Sequence, residues 1–293
     1  MADQTYEALA RQMAGTDVAM LMGGVDTGKT TLGLMAARIA LGAGRSVGYV
    51  DADVGNTTVG PPACVGLKLL HSIEDLETIE VPDTLHFVGT IASSRLVLQQ
   101  VVATAAMADL ARREADLVII DTTATSSGVS GETLKYHKTE LCRPDMVVAL
   151  QRGGEMEPIV GMLRRFLGVD VTVAPSDPNV MPVSPDQRAE RRMAAFNRAL
   201  LPPLERWKVR PTVFAPTLPV GLNLDRLNNL LVGVQDQSGG CLGLGVLDHD
   251  SDGLRVTTNA GEGMKGLRLG SMRLDPDTFE TQMISLRDVM FGI

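Results

Sequence analysis

Short apolar runs recur between residues 18 and 173, and each is about as long as one buried β-strand. Between several of these runs, apolar residues recur at helical spacing, and a polar helix is expected over 1–16. The alternation predicts an α/β fold with a doubly wound, mostly parallel sheet that binds ligands at the carboxyl ends of its strands. The predicted strands are 18–22, 46–50, 85–88, 117–120, 146–150 and 169–173, and the predicted helices include 32–39, 94–113, 131–142 and 156–167.

The first predicted strand leads into a glycine-rich loop and then a helix, in the pattern G-x-x-x-x-G-K-T. Backbone N–H groups in such a loop surround phosphate groups, and the start of the helix adds a partial positive charge. Lys29 is placed to reach the β- and γ-phosphates, and the Thr30 hydroxyl is placed for Mg²⁺. We therefore expect a P-loop that binds ATP through Gly23, Gly24, Val25, Asp26, Thr27, Gly28, Lys29, Thr30 and Thr31.

Three aspartates follow predicted strands at the edge where the phosphates would lie. Asp121 ends the run 117–120 in the manner of a Walker B aspartate, so it is expected to hold the metal ion directly or through water, together with Thr30. Asp51 is the third expected metal ligand. Asp51 and Asp53 end the neighbouring strand, where alternate residues point to the same side. One of this pair is expected to face the phosphates as metal partner or general base, and the pattern leaves the choice open.

Arginines are placed on a predicted helix over 184–199. Ser184, Pro185 and Gln187 form a capping-box pattern that predicts its start. Arg188, Arg191 and Arg192 then fall on nearly one face, since offsets of three and four are neighbours on a helix. Such a lid could neutralise charge in phosphoryl transfer, while the alternative is a solvated face partly neutralised by Glu190.

After a proline-rich stretch at 200–219 the pattern changes. The runs that follow are short, interrupted by glycine and joined by turn residues, which predicts a small C-terminal antiparallel β-domain. We place the domains at 1–204 and 205–293. Acceptor contacts and a surface for a protein partner are both open roles for the second domain.

Composition narrows the function classes. A net charge of −8 and only 3% aromatic residues argue against broad non-specific nucleic-acid binding, while leaving room for a local basic groove. The three cysteines are far apart and show neither a disulfide framework nor metal-ligand spacing, which favours a reducing cytoplasm. We expect no membrane segment.

The segment 248–253 begins like a calcium loop, but Asn259 stands at position twelve, so a hairpin turn is expected.

Several of these motifs together resemble the polynucleotide 5′-hydroxyl kinases, which include eukaryotic pre-mRNA cleavage-factor and ribosomal-RNA-processing kinases and archaeal relatives. The similar segments are 23–30, 51–56 with 60–62, and 188–192, and the segments 230–234, 242–245 and 267–270 are similar to the C-terminal β-domain of the archaeal members. The resemblance implies transfer of the ATP γ-phosphate to a 5′-hydroxyl end of RNA or DNA. It implies that Lys29, Asp53, Arg188 and Arg192 are catalytic, with Asp53 as general base and the arginines as a clamp.

The segments that would contact the acceptor depart from the family pattern. Asn56 stands where the family usually has glutamine. The loop 122–125 lacks the Gly-Trp that supplies a stacking tryptophan, and 89–93 lacks the usual hydroxyl-rich pattern. We expect Asn56, Thr122 and Thr125 to contact the acceptor.

Two other functions remain open from the sequence. One is an ATPase switch of the partition or cell-division type, which also has a strand end like 50–53, but that family has lysine before a shorter loop where this chain has Met22. The other is a P-loop kinase for a small hydroxyl compound. GTP use is not expected, because the sequence has no Asn-Lys-x-Asp motif.

Overall fold

The computed structural model describes residues 2–176 and 180–291. Its helices are α1 (Ala2–Ala14), α2 (Lys29–Gly42), α3 (Val97–Glu114), α4 (Gly128–Cys142), α5 (Glu157–Phe166), α6 (Pro185–Ala199) and α7 (Leu286–Phe291). Its strands are β1 (Val18–Gly23), β2 (Val47–Ala52), β3 (Cys64–Leu70), β4 (Thr84–Phe87), β5 (Leu117–Thr122), β6 (Met146–Gln151), β7 (Asp170–Pro175), β8 (Glu205–Lys208), β9 (Phe214–Ala215), β10 (Leu230–Gln235), β11 (Cys241–Asp250), β12 (Gly253–Thr258), β13 (Gly266–Leu274) and β14 (Thr281–Met283).

Five parallel strands form the centre of the molecule, in the order β2-β5-β1-β6-β7. Each is almost fully buried apart from β7, because apolar layers cover both faces of the sheet. The parallel α/β prediction is confirmed. In this arrangement β2 and β5 pair so that Asp51 lies opposite Asp121 and Ala52 opposite Thr122, at the carboxyl edge.

The sheet continues beyond β2 in the antiparallel direction. Strand β3, which the apolar pattern did not identify, pairs antiparallel with β2 and β4. The predicted strand at 85–88 is confirmed as β4, and it pairs antiparallel with β3, outside the parallel group. An apolar run specifies burial but carries no information about strand direction, so the direction of β4 could not be predicted from the pattern.

The C-terminal strands are antiparallel apart from β9, and one pair joins them to the rest: Cys241 on β11 lies opposite Leu85 on β4. The predicted hairpin at 248–253 is confirmed as the β11–β12 turn. A shared apolar cluster spans both parts and holds Phe87, Phe196 on α6, and Leu244. The domain boundary at 204/205 stays a prediction, since β8 begins at Glu205 but the sheet itself is continuous.

In the described parts of the chain, no helix combines the length and apolar character required to cross a bilayer.

Candidate nucleotide and phosphoryl-transfer site

The loop between β1 and α2 folds as a tight phosphate-binding turn. Gly23 has φ 154°, and a Cβ there would lie 2.6 Å from the Leu150 carbonyl oxygen. Asp26 and Gly28 have φ of 53° and 90°, in the left-handed region, and Gly28 immediately precedes the first residue of α2. The loop thus needs glycine at position 23, where a side chain would collide with Leu150, and favours it at position 28 because of the positive φ.

Lys29 lies at the centre of this turn and is buried. Its Nζ donates to the carbonyl oxygens of Gly23 and Gly24, at 3.0 and 2.8 Å. Burial lowers the pKa of Lys29, and the negative charges of Asp121 and Asp53 oppose that shift. The ammonium group is therefore held where phosphate oxygens would replace the two carbonyl groups as acceptors.

Thr30 and Asp121 form a pair below the start of α2. The Thr30 hydroxyl donates to Oδ2 of Asp121 at 2.5 Å, and the Tyr49 hydroxyl donates to the same oxygen at 3.2 Å. Burial raises the pKa of Asp121, and Lys29 opposes the shift. The other oxygen, Oδ1, is buried and has no hydrogen-bond partner among the described atoms. A free carboxylate oxygen beside a hydroxyl is a donor set that suits Mg²⁺.

Asp51 is buried, and its oxygens are engaged by the backbone of the loop that follows it. Oδ1 accepts from the N–H of Asp53 at 2.9 Å, and Oδ2 accepts from the N–H groups of Thr58 and Val59. Burial, followed by Asp121 and Asp53, raises the pKa of Asp51 to about 8. The structure places Asp51 as the residue that closes the loop 51–59, and it is not among the described residues that line the cavity.

We expect Asp51→Ala to destabilise the fold by about 3 kcal/mol or more, because three backbone N–H groups would lose their acceptor in a buried site. Chemical denaturation measures this loss. Asp75→Ala is the matched control, since Asp75 also accepts two backbone N–H bonds but does so at the surface, where water can replace it. Equal losses in the two variants would contradict the role given to Asp51.

Asp53 lies one residue beyond the end of β2 and faces the cavity. Its Oδ1 accepts from the N–H groups of Gly55 and Asn56, at 3.1 and 3.2 Å, which fixes the direction of the side chain. Its position differs from that of Asp51 because the loop turns after Ala52, so the alternation expected of a strand no longer applies.

Helix α6 brings its arginines to the opposite wall. The predicted capping box is confirmed: Ser184 accepts from the Gln187 N–H, and Gln187 accepts from the Ser184 N–H. Arg188 donates to Oδ2 of Asp26 at 2.6 Å and so links the helix to the phosphate loop. Burial, and then the charge of Arg188, lowers the pKa of Arg192. Two neighbouring guanidinium groups favour an anion between them and the loop.

These parts enclose one cavity of about 310 Å³. Its lining includes the loop residues 25–31, Asp53, Asn56 and the three arginines predicted to form the lid, Arg188, Arg191 and Arg192. The residues expected to contact the acceptor are placed differently from one another. Asn56 lines the cavity. Thr122 is buried, donates to the Leu21 carbonyl at 2.6 Å and accepts from Lys135, so it is engaged below the cavity.

Thr125, the third residue expected at the acceptor, has its hydroxyl hydrogen-bonded to that of Ser93. The neighbouring Ala124 is the residue of this loop that lines the cavity. The acceptor roles of Thr122 and Thr125 therefore stay predictions with no cavity contact among the described residues.

Residues 23–198, more than half of the chain, match the family model of the mRNA cleavage and polyadenylation factor CLP1 P-loop. The chain belongs to the CLP1 P-loop family. The match begins at the first glycine of the phosphate loop and ends on the arginine-bearing helix α6, so it spans every wall of the cavity.

Relatives of this CLP1 P-loop chain extend through archaea and eukaryotes. A polyribonucleotide 5′-hydroxyl-kinase of Methanocaldococcus jannaschii is 28% identical over 90% of this chain and 89% of its own length. One of Pyrococcus horikoshii is 36% identical over 61% of this chain and 48% of its own. Clp1 of Homo sapiens is 27% identical over 59% and 42%. Among solved structures, Clp1p in complex with Pcf11p has the same fold, with a TM-score of 0.69 at 13% identity over 92% of this chain and 78% of that one.

Sequence reasoning missed three basic residues at the site of this CLP1 P-loop chain. Arg152, in the loop after β6, donates to the carbonyl oxygens of Val25 and Asp26 and so supports the phosphate loop from outside. Lys135 and Lys138 lie beneath the site on α4 and are fully buried. For the lysines a signal existed, because both fall on the helix face that also carries Leu134 and Cys142. No pattern around Arg152 indicates its contact with the phosphate loop.

Proposed function

We propose that this chain is an ATP-dependent polynucleotide 5′-hydroxyl kinase. The observation that carries the proposal is that Asp53 and the arginines of α6 line the same cavity as the phosphate loop. A nucleotide-binding switch needs only the loop, whereas phosphoryl transfer also needs a base and positive charge around the transferred group. The names of the relatives, which are polyribonucleotide 5′-hydroxyl-kinases, support the choice of acceptor.

In the proposed reaction the 5′-hydroxyl oxygen of the acceptor forms a bond to the γ-phosphorus of ATP. The bond from that phosphorus to the oxygen bridging the β-phosphate breaks, and ADP leaves. The hydroxyl proton passes to the Asp53 carboxylate, which faces the cavity. Lys29 holds the β- and γ-phosphates, and Arg188 and Arg192 stabilise the charge that spreads over the transferred group.

The donor set at Thr30 and Asp121 fits Mg²⁺, given the free buried oxygen of Asp121. When bound there, the ion would neutralise charge that develops on the phosphates. Asp51, which the sequence predicts as a further ligand, is assigned to the loop instead, because backbone N–H groups occupy both of its oxygens. A protein-partner surface on the C-terminal strands stays a prediction.

The test is label transfer from γ-³²P-ATP, with Mg²⁺, to a panel of 5′-hydroxyl RNA, 5′-hydroxyl DNA and small alcohols. We expect label at an oligonucleotide 5′ end. The same oligonucleotides carrying a 5′-phosphate are the matched control and should take up none. Label on small alcohols alone would show that the acceptor is a small hydroxyl compound and not a polynucleotide. ATP turnover without a labelled acceptor, with nucleotide-dependent dimerisation, would instead favour the ATPase switch.

A further inference from the structure

Helix α4 carries two lysines whose side chains have no exposed surface. Lys135 and Lys138 are one helical turn apart and are among the largest fully buried side chains of the described chain. Lys135 Nζ donates to the Thr122 hydroxyl and to the Thr123 carbonyl oxygen. Lys138 Nζ donates to the Ala52 carbonyl oxygen at 3.1 Å. Neither lysine is among the described residues that line the cavity.

The two anchor points are direct neighbours in the sheet. Ala52 ends β2 and lies opposite Thr122, which ends β5. Asp53 directly follows Ala52, and Asp121 directly precedes Thr122. Two lysines on one face of α4 therefore bond to the ends of both strands, next to Asp121 and Asp53. The proposed reaction uses both of these carboxylates.

The stability of the fold does not explain why two lysines are buried at positions 135 and 138. Taking two ammonium groups out of water costs several kcal/mol each in general, and like charges one helical turn apart repel. A hydroxyl or amide could satisfy the same carbonyl groups at a lower desolvation cost. Burial lowers the pKa of both lysines, that of Lys138 to about 8. Cys142 and then Asp53 oppose the shift at Lys138, and Asp53 and Asp121 oppose it at Lys135. The carboxylates thus offset part of the cost of burying these two side chains.

We propose that Lys135 and Lys138 are positioning residues for phosphoryl transfer, which hold the paired ends of β5 and β2 and so fix Asp121, bonded to Thr30, at a constant separation from Asp53, which lines the cavity. This inference rests on the proposed kinase function. The two lysines are buried behind the strand ends, so they act on the reaction through the two carboxylates. Losing either anchor should lower the rate of the transfer step and leave the binding of ATP largely unchanged, because the phosphate loop is held by other contacts.

The test compares Lys138→Met and Lys135→Met with the wild-type chain in single-turnover transfer to the oligonucleotide acceptor. We expect a fall in rate of about 10-fold or more, because a small misplacement of a reacting group costs this much. The dissociation constant of a non-hydrolysable ATP analogue should stay within about twofold. Thr139→Val is the matched control: Thr139 is buried on the same helix and bonds to the Lys135 carbonyl without touching either strand end.

A second comparison separates positioning from a structural effect. If Lys138 acts through Asp53, Lys138→Met should cost less than about twofold in an Asp53→Asn background, because effects within one unit are not additive. An equal cost in both backgrounds overturns the inference. So does an unchanged rate in both lysine variants, or a loss that Thr139→Val reproduces together with the same fall in melting temperature. A wild-type chain that labels no acceptor overturns the proposed function and this inference together, whereas an active wild-type chain with active lysine variants overturns the inference alone.

Discussion

Lys29→Ala should reduce phosphate transfer by about 10²- to 10³-fold, the loss typical of removing one preorganised donor to developing charge. The Lys29 ammonium is held inside the phosphate loop by the carbonyl oxygens of Gly23 and Gly24. It is also largely withdrawn from solvent, so water cannot supply an equivalent donor to the phosphates. Alanine leaves the backbone of the loop in place but removes its only side-chain cation.

Initial rates of label transfer, measured at saturating ATP, check this result. Lys68→Ala is the control. Lys68 lies on β3, is not among the described residues that line the cavity and forms an ion pair with Asp83 at 3.5 Å. Its loss should leave the transfer rate unchanged. A Lys29→Ala variant that keeps more than a tenth of the wild-type rate would contradict the placement of the γ-phosphate over this loop.

Asp53→Asn should reduce the transfer rate by about 10²- to 10⁴-fold, the range of a general base. The amide keeps the shape of the side chain and its acceptor oxygen for the N–H groups of Gly55 and Asn56, so the loop should keep its fold. It cannot take up the hydroxyl proton. Since Asp53 is not proposed as a metal ligand, the Mg²⁺ concentration at half-maximal rate should not change.

Asp121→Asn should also lower the transfer rate, but for a different reason, so it is compared with Asp53→Asn. Its free buried oxygen and its bond to Thr30 place it at the metal position, so its loss should raise the Mg²⁺ concentration needed for half-maximal rate. Titration of Mg²⁺ against transfer rate distinguishes the two variants. Loss of activity in Asp121→Asn alone, with an active Asp53→Asn, would show that the base has been assigned to the wrong carboxylate.

The sequence predicted the parts of the site that are contiguous in the chain. The phosphate loop could be predicted because strand, glycines, Lys29, Thr30 and helix follow one another, and each requires the next for its chemistry. The start of α6 could be predicted for the same reason, since the side chains of Ser184 and Gln187 each accept the backbone N–H of the other residue. Local rules suffice wherever the interacting groups are within one turn of each other.

The parts that depend on distant contacts could not be predicted. Asp51 and Asp53 look equivalent in the sequence, and the return of the loop to Thr58 and Val59 is what gives Oδ2 of Asp51 its partners. The roles of Lys135 and Lys138 depend on which strand ends α4 crosses. The continuity of the sheet depends on the pairing of Cys241 on β11 with Leu85 on β4, which no local pattern predicts.

In the proposed reaction the γ-phosphate and the acceptor hydroxyl meet in one cavity. The most direct measurement is the ratio of ADP released to 5′-phosphorylated ends formed, in a single turnover with a 5′-hydroxyl oligonucleotide. We expect one phosphorylated end for each ADP, and ADP release that nearly stops when the oligonucleotide already carries a 5′-phosphate. ADP released at the same rate with either oligonucleotide, and with no new phosphorylated ends, would contradict it.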